Sequence, residues 1–288
     1  MKVGLIGVGL MNGSLALDLK SAHPSVAIYG VSRRVSTLAN AKQLGLIDYQ
    51  ATIDDMRDMD FVSIAIPVTA TVDILPSLLD SVGSNTLVID MGSTKTAICE
   101  SVSKHPKREQ FLACHPIAGT EFSGPEAAIH NLYHGKVNML CETQKTRPDL
   151  LKRAHVIFTN LGMHMREIDP SEHDRNIAYV SHLSHITSFM LGKTVMEKEA
   201  DEQSIFDMAG SGFSSTVRLA KSSPEMWMPI FRHNKHNVIE TLDEYISNME
   251  NFKSLLENDD YTTLFEEMKN INKIRHILKP ENKTNGKQ

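Results

Sequence analysis

Cysteine and net positive charge are both scarce in this chain. Cys99, Cys114 and Cys141 are its only three cysteines in 288 residues. They form no Cys-x-x-Cys pair, which excludes a disulfide framework and a cysteine-based metal site and points to a reducing, cytoplasmic compartment. Lysine and arginine number 30 against 35 acidic residues, a formal net charge of -5. The chain therefore exerts no general pull on nucleic acid or an anionic membrane, and any anion site must be a local basic cluster. No apolar run approaches a membrane span, and the N-terminus opens on a strand rather than on a leader. What is present is the composition of a globular protein, 41% hydrophobic and 23% charged. That length and composition suit one large domain or two ordinary ones.

The first residues already carry a pattern with chemistry in it. Met1 to Ile6 reads as a buried strand, followed by Gly7-Val8-Gly9-Leu10-Met11-Asn12-Gly13-Ser14 and a helix-forming run. Strand, glycine turn and helix in that order form a dinucleotide-binding candidate. Gly7 permits the tight turn, Gly9 lets backbone approach a pyrophosphate, and the helix start over Leu10 and Met11 stabilises negative charge. Asn12 stands where the third glycine of the pattern makes close helix-to-strand packing, with Gly13 beside it as a shifted substitute. The next strand, Val26 to Val31, ends in Ser32-Arg33-Arg34 rather than in an acidic residue. A serine and two arginines there favour a 2′-phosphate, so NADP is the expected cofactor with NAD also possible. An ordinary strand-to-helix turn and a solvated basic pair are the bland readings of the same residues.

Alternation continues. Asp60 to Pro67 is an apolar strand that brings Ile66 and Pro67 to the carboxyl edge of a parallel sheet, where ligands bind. Thr86 to Asp90 delivers Ser93 to a helix start, where capping is the commoner role. Phe111 to Cys114 delivers His115 to the same edge. A histidine fixed between a strand end and Pro116 has little freedom to swing, as a general acid or base requires. Cys114, facing the other way along the strand, is expected to be buried and inert. Val137 to Cys141 and Met163 to Glu167 read as further strands, with a helix over 148–160 between them.

Composition changes at Asp169-Pro170. Residues 1–168 are expected to form a doubly wound Rossmann-type dinucleotide-binding domain. Residues 169–280 are expected to form an all-helical substrate and dimerisation domain, and 281–288 a disordered tail. His182 and His185 lie at a spacing that shares one face of a helix over 172–195. No third ligand accompanies them, so no metal site is expected. Arg218 follows a glycine-bearing segment and offers a planar fork suited to a carboxylate. The amphipathic stretches 229–256 and 261–278 would suit a homodimer interface, with packing inside the chain as the alternative.

Taken in order, these blocks resemble the prephenate and arogenate dehydrogenases of tyrosine biosynthesis. The resemblance runs from Gly7-Val8-Gly9 through Gly92-Ser93-Thr94-Lys95, His115-Pro116-Ile117-Ala118-Gly119-Thr120-Glu121, His173-Asp174-Arg175 and Ser181-His182-Leu183-Ser184-His185 to Arg218-Leu219-Ala220 and Pro224-Glu225-Met226-Trp227. It implies an NAD(P)-dependent oxidative decarboxylation of a cyclohexadienyl substrate, prephenate or arogenate. It also implies His115 as the catalytic base, Ser93 beside it, Arg218 on a substrate carboxylate, and His185, His182, Glu121 and Trp227 around the substrate. Many members carry an acidic residue where this chain has Ser215. Prephenate and arogenate differ in a keto group against an ammonium, so the missing carboxylate favours prephenate. A β-hydroxyacid or imine reductase shares the glycine turn but has no reason to keep His115-Pro116. A non-catalytic nucleotide sensor would need none of His115, Ser93 and Arg218.

Overall fold

The computed structural model describes residues 1–202 and 204–278; the expected disordered tail, 281–288, lies outside them. β1 (Lys2–Ile6) runs through the glycine turn into α1 (Leu10–Ala22), and β2 (Ala27–Val31) into α2 (Val35–Gln43) and β3 (Tyr49–Gln50). β4 (Phe61–Ile64) leads to α3 (Val68–Ser81) and β5 (Leu87–Asp90) to α4 (Thr96–Ser101). β6 (Phe111–Pro116), β7 (Val137–Cys141), α5 (Pro148–Asn160) and β8 (His164–Glu167) complete the sheet. The eight strands lie in the order β3-β2-β1-β4-β5-β6-β7-β8. β1 to β6 are parallel; β7 runs antiparallel to β6 and parallel to β8. The first six strands thus follow the doubly wound dinucleotide order, with its switch point where β1 meets β4. β3 lies outside the sequence expectation because its two exposed residues offer no apolar run.

Both faces of the sheet are covered, which is why β4 and β5 read as continuous apolar runs rather than alternating ones. Along β6, Phe111 and Ala113 pack with Val62, Ile64 and Val88 beneath Leu75 and Leu78 of α3 and Ile98 of α4. Leu112 and Cys114 face the other way, with Leu5, Ile28, Leu15 of α1, and Ala154 and Phe158 of α5. Strand parity then places His115 on the α3–α4 side and Cys114 opposite. Burial pushes the Cys114 thiol well above its ordinary value, so it is an inert packing residue.

After β8 the described chain is helical. α6 (Pro170–Ile177) starts at an Asp169 cap, whose carboxylate accepts the Ser171 and Glu172 N–H groups at 2.8 and 3.2 Å, with proline in the first helical position. A π turn, Ala178–His182, joins it to α7 (Leu183–Glu202). The expected single helix is therefore interrupted next to the histidines, as π turns at functional sites often are. α8 (Ser211–Thr216), α9 (Pro224–His233), α10 (Lys235–Glu257), α11 (Tyr261–Ile271) and α12 (Ile274–Ile277) follow. The expected stretch over 229–256 is broken at Asn234, whose side chain is drawn into buried hydrogen bonds. The chain forms two compact units, 1–238 and 239 onward. In the first, α6 packs on α4 and α9 on α3, so these helices belong with the sheet.

Candidate active site

The glycine turn is built from backbone. Gly7 takes φ +81°, and a Cβ there would come within 2.5 Å of the Ala65 carbonyl and the Ile66 side chain. At Gly9 the nearest atom to such a Cβ is Gly124 N, 3.9 Å away. α1 begins at Gly9 with no side-chain cap and no acid in its first turn, leaving its N–H groups and dipole to act on an anion. These features fit a dinucleotide pyrophosphate. Asn12 does not pack as the missing glycine would. Its buried Nδ2 donates to the carbonyls of Ile6, Gly7 and Ser63 at 3.2, 2.8 and 3.1 Å, tying the ends of β1 and β4 together. Close packing moves to Gly13, where a Cβ would lie 2.7 Å from Ala128 Cβ.

The segment after Gly124 clamps this turn from outside. Tyr133 Oη donates to the Met11 carbonyl at 2.6 Å, and the Ile129 N–H donates to Ser14 Oγ at 3.0 Å. Leu10 is buried and Met11 half-buried beneath it. At the end of β2, Ser32 Oγ accepts the Arg34 N–H at 3.3 Å. The side chains of Arg33 and Arg34 are exposed and make no hydrogen bond among the described residues. Half-buried Ile66 and exposed Pro67 lead into α3 at the switch point.

His115 is held by a chain of side chains. Its Nδ1 lies 2.8 Å from His173 Nε2, and His173 Nδ1 lies 2.8 Å from Asp174 Oδ1. The Asp174 carboxylate also accepts the N–H groups of Lys95 at 2.7 Å and Thr96 at 2.9 Å, which fixes α6 to the start of α4. Burial would raise this carboxyl, but the hydrogen bonds from His173, Thr96 and Lys95 outweigh it and hold it below its ordinary value. Behind the strand end, fully buried Lys95 pairs with Asp90 and donates to the Cys114 carbonyl at 2.6 Å. Asp90 accepts the Cys114 N–H at 3.1 Å, so the residue before His115 is pinned on both backbone groups. His115 is half-buried, and protein encloses the ring. That enclosure, reinforced by His173, Lys95 and His182, pushes its pKa well below the ordinary histidine value. Ser93 is half-buried nearby in sequence at the end of β5, and its hydroxyl makes no hydrogen bond to His115; the partner of His115 is His173.

A second group of expected residues gathers around Trp227. Buried His182 accepts Asn234 Nδ2 on its Nδ1 at 3.1 Å, while the same amide donates to the Asp174 carbonyl at 2.7 Å. Burial pushes His182 down to about 4. His185 donates from Nδ1 to the Ser181 carbonyl at 2.9 Å and lies against Trp227, ring centroids 3.8 Å apart. Its pKa is lowered, by burial first and then by the positive charge of Arg218. Arg218 in turn reaches Glu121 at 3.3 Å. Ser188 of α7 accepts the Ala220 N–H and donates to the Thr216 carbonyl, both at 3.0 Å, and so holds the Arg218 segment. Ser215 is exposed on α8. His182 Nε2 and Trp227 Nε1 are buried and find no partner among the described residues.

His173, Asp174, Lys95, Asp90 and Asn234 belong to this site, yet residue pattern alone gives them no role. The one local signal was an acid directly following a histidine at His173-Asp174; their partners lie 58 and 79 residues away in the chain.

A doubly wound sheet opening on a glycine turn, with an enclosed imidazole chain at its carboxyl edge, defines an NAD(P)-dependent dehydrogenase. Residues 15–167 match the prephenate dehydrogenase nucleotide-binding domain, and residues 169–270 the prephenate dehydrogenase dimerization domain. The chain belongs to the prephenate dehydrogenase family. It is 32% identical over 278 residues to prephenate dehydrogenase of Bacillus subtilis strain 168, covering 95% of this chain and 75% of that one. Cyclohexadienyl dehydrogenase of Zymomonas mobilis is 25% identical, with 97% and 96% covered. The crystal structure of prephenate dehydrogenase from Aquifex aeolicus, in complex with hydroxyphenyl propionate and NAD+, superposes with a TM-score of 0.88 at 31% identity, covering 97% and 98%.

Proposed function

We propose that this protein oxidatively decarboxylates prephenate to 4-hydroxyphenylpyruvate in tyrosine biosynthesis, with His115 as the base. The observation that carries this reading is a run of neighbouring groups linking an enclosed histidine to a carboxylate receptor. His182 acts electrostatically on His115 and meets Trp227 edge-on, Trp227 lies against His185, and Arg218 acts on His185 and pairs with Glu121. Such a surface suits a small ring bearing a hydroxyl at one end and carboxylates elsewhere. His115 takes the proton of the ring hydroxyl as the carbon beneath it is oxidised, and Ser93 helps orient that hydroxyl. Arg218 holds a carboxylate, which displaces the exposed Glu121 pair at little cost because solvent already screens it. His182, His185 and Trp227 line the ring, and loss of carbon dioxide then leaves an aromatic phenol. A bound nicotinamide dinucleotide supplies the acceptor for the hydride.

Gly7, Gly9, Leu10, Met11, Ser32, Arg33, Arg34, Ile66 and Pro67 are the proposed cofactor contacts, with NADP preferred because the exposed Arg33 and Arg34 side chains suit a 2′-phosphate. Ser215 offers no carboxylate to an ammonium, which favours prephenate over arogenate. Residues 169–280 are proposed as the substrate and dimerisation domain of a cytoplasmic homodimer. Apolar Ile246, Met249 and Phe252 of α10, and Phe265 and Ile271 of α11, are all at least 40% exposed in the single chain.

The test is steady-state turnover of prephenate and of arogenate, each with NAD and NADP. Prephenate with NADP is the expected best pair. Turnover of arogenate alone would overturn the substrate assignment, and equal use of both cofactors the NADP preference. Turnover of neither substrate would overturn the activity itself.

A further inference from the structure

We infer that His173, anchored by Asp174, is a positioning residue that fixes His115 in the tautomer whose Nε2 is the proton acceptor. The inference rests on the proposed role of His115 as base and adds which of its nitrogens does the work. Asp174 is held as a carboxylate by the N–H groups of Lys95 and Thr96 and can only accept, so the proton in its 2.8 Å contact belongs to His173 Nδ1. In its neutral form His173 then has its lone pair on Nε2. The 2.8 Å contact from there to His115 Nδ1 needs one proton, and His115 has to supply it. A proton on His115 Nδ1 leaves Nε2 bare. Nε2 is therefore the nitrogen available to a hydroxyl, and the buried face of the ring is committed to His173.

The same chain also serves the charged form. When Nε2 accepts a proton, the His115 imidazolium still donates through Nδ1 to His173 Nε2, and the Asp174 carboxylate lies one ring beyond to stabilise the charge. No bond has to be remade and no ring has to turn. This matters because Lys95 and Asp90 pin the backbone just before His115, and rotation of the ring would break its one contact to His173. Were His173 replaced by a residue without an acceptor, His115 Nδ1–H would lose its partner and both tautomers would be populated.

Two measurements test this. In the full-length protein with 15N-labelled histidine, the ring spectrum, with the His115 signal assigned by its absence from His115→Asn, is expected to place the neutral His115 proton on Nδ1. A proton on Nε2 overturns the inference. In kinetics, His173→Leu is expected to lower kcat about 100-fold while substrate KM stays within about threefold. His173→Gln, whose amide oxygen can still accept from His115 Nδ1, is expected to recover at least about tenfold of that loss. A glutamine variant no better than leucine, or an effect on KM alone, overturns it. Should His173→Leu fail to fold, the spectrum of the native protein decides. Should the native protein oxidise neither prephenate nor arogenate, the proposed function fails while the spectrum still decides the tautomer.

Discussion

The nucleotide turn and the histidine site sit at the same edge of one sheet but are built from opposite materials. The turn uses backbone: two glycines, the start of α1 and carbonyls tied by Asn12, all supplied within a few consecutive residues apart from Ser63. The histidine site uses side chains from β6, α6, the π turn, α7 and α9, and several of them titrate. A site of backbone is local in sequence and indifferent to pH. A site of enclosed imidazoles is distributed along the chain and must be sensitive to both substitution and acid.

The largest expected effect tests whether the two are separable. His115→Asn should lower kcat about a thousandfold, about 4 kcal/mol of transition-state stabilisation. Dinucleotide affinity, measured by titration, should be unchanged, because the hydrogen bond and ring contact of His115 are both made to His173 and not to the turn. Parallel loss of cofactor binding would show that the two regions are one unit.

Acid provides the next contrast. His182 has a pKa of about 4 in the folded chain against an ordinary 6.5. Above pH 6.5 the folded and unfolded forms are both neutral there and it contributes nothing to pH dependence. Below 6.5 the unfolded chain binds a proton that the native site refuses, so stability falls, by about 3 kcal/mol on reaching pH 4. His115, His185 and His233 are shifted down as well and act in the same direction. The thermal midpoint should therefore drop steadily from pH 6.5 toward 4. A flat profile would mean that the histidines are not enclosed as described.

The same contrast explains what could be read from the sequence. The glycine turn, the strands that follow it and the placement of His115 and Ser93 at strand ends were legible because each depends on neighbours along the chain. Even the parity that sends Cys114 and His115 to opposite faces of the sheet is a local property. Asp174, Lys95 and Asn234 were not legible as site residues, since a buried carboxylate, a buried ammonium and a helix break look like surface residues until packing brings their partners together. Asn234 shows this most clearly. The apolar period runs on through residues 229–256, and the break falls where the Asn234 side chain turns to hydrogen bonds with Asp174, His182 and Asn237. Asn12 sits between the two cases: its position in the turn was legible, its work as a bridge was not. Asn12→Leu removes the buried amide shared by the Ile6, Gly7 and Ser63 carbonyls, of which Ile6 keeps the Ala65 N–H, and should cost about 2 kcal/mol, read as a lower thermal midpoint. Little change would mean that Gly13 alone sustains the turn.

The smallest effect separates folding from binding inside the turn itself. Gly7 and Gly9 are two residues apart and belong to one pattern, yet the structure gives them different reasons to be glycine. Gly7 is glycine for the fold, with a positive φ and no room for a Cβ. Gly9 has φ -106° and ψ -156°, open to any residue, and no protein atom within 3.9 Å of a Cβ. Gly9→Ala should therefore leave the thermal midpoint of the cofactor-free protein unchanged, while the added methyl stands where a pyrophosphate must approach. Dinucleotide affinity should weaken about tenfold, roughly 1.4 kcal/mol, with kcat at saturating cofactor little altered. Gly7→Ala should do the reverse, lowering stability before binding is ever measured. If both variants lost stability alike, the opening at Gly9 would be a packing feature, and the backbone approach to the cofactor would have to be sought elsewhere on the edge of the sheet.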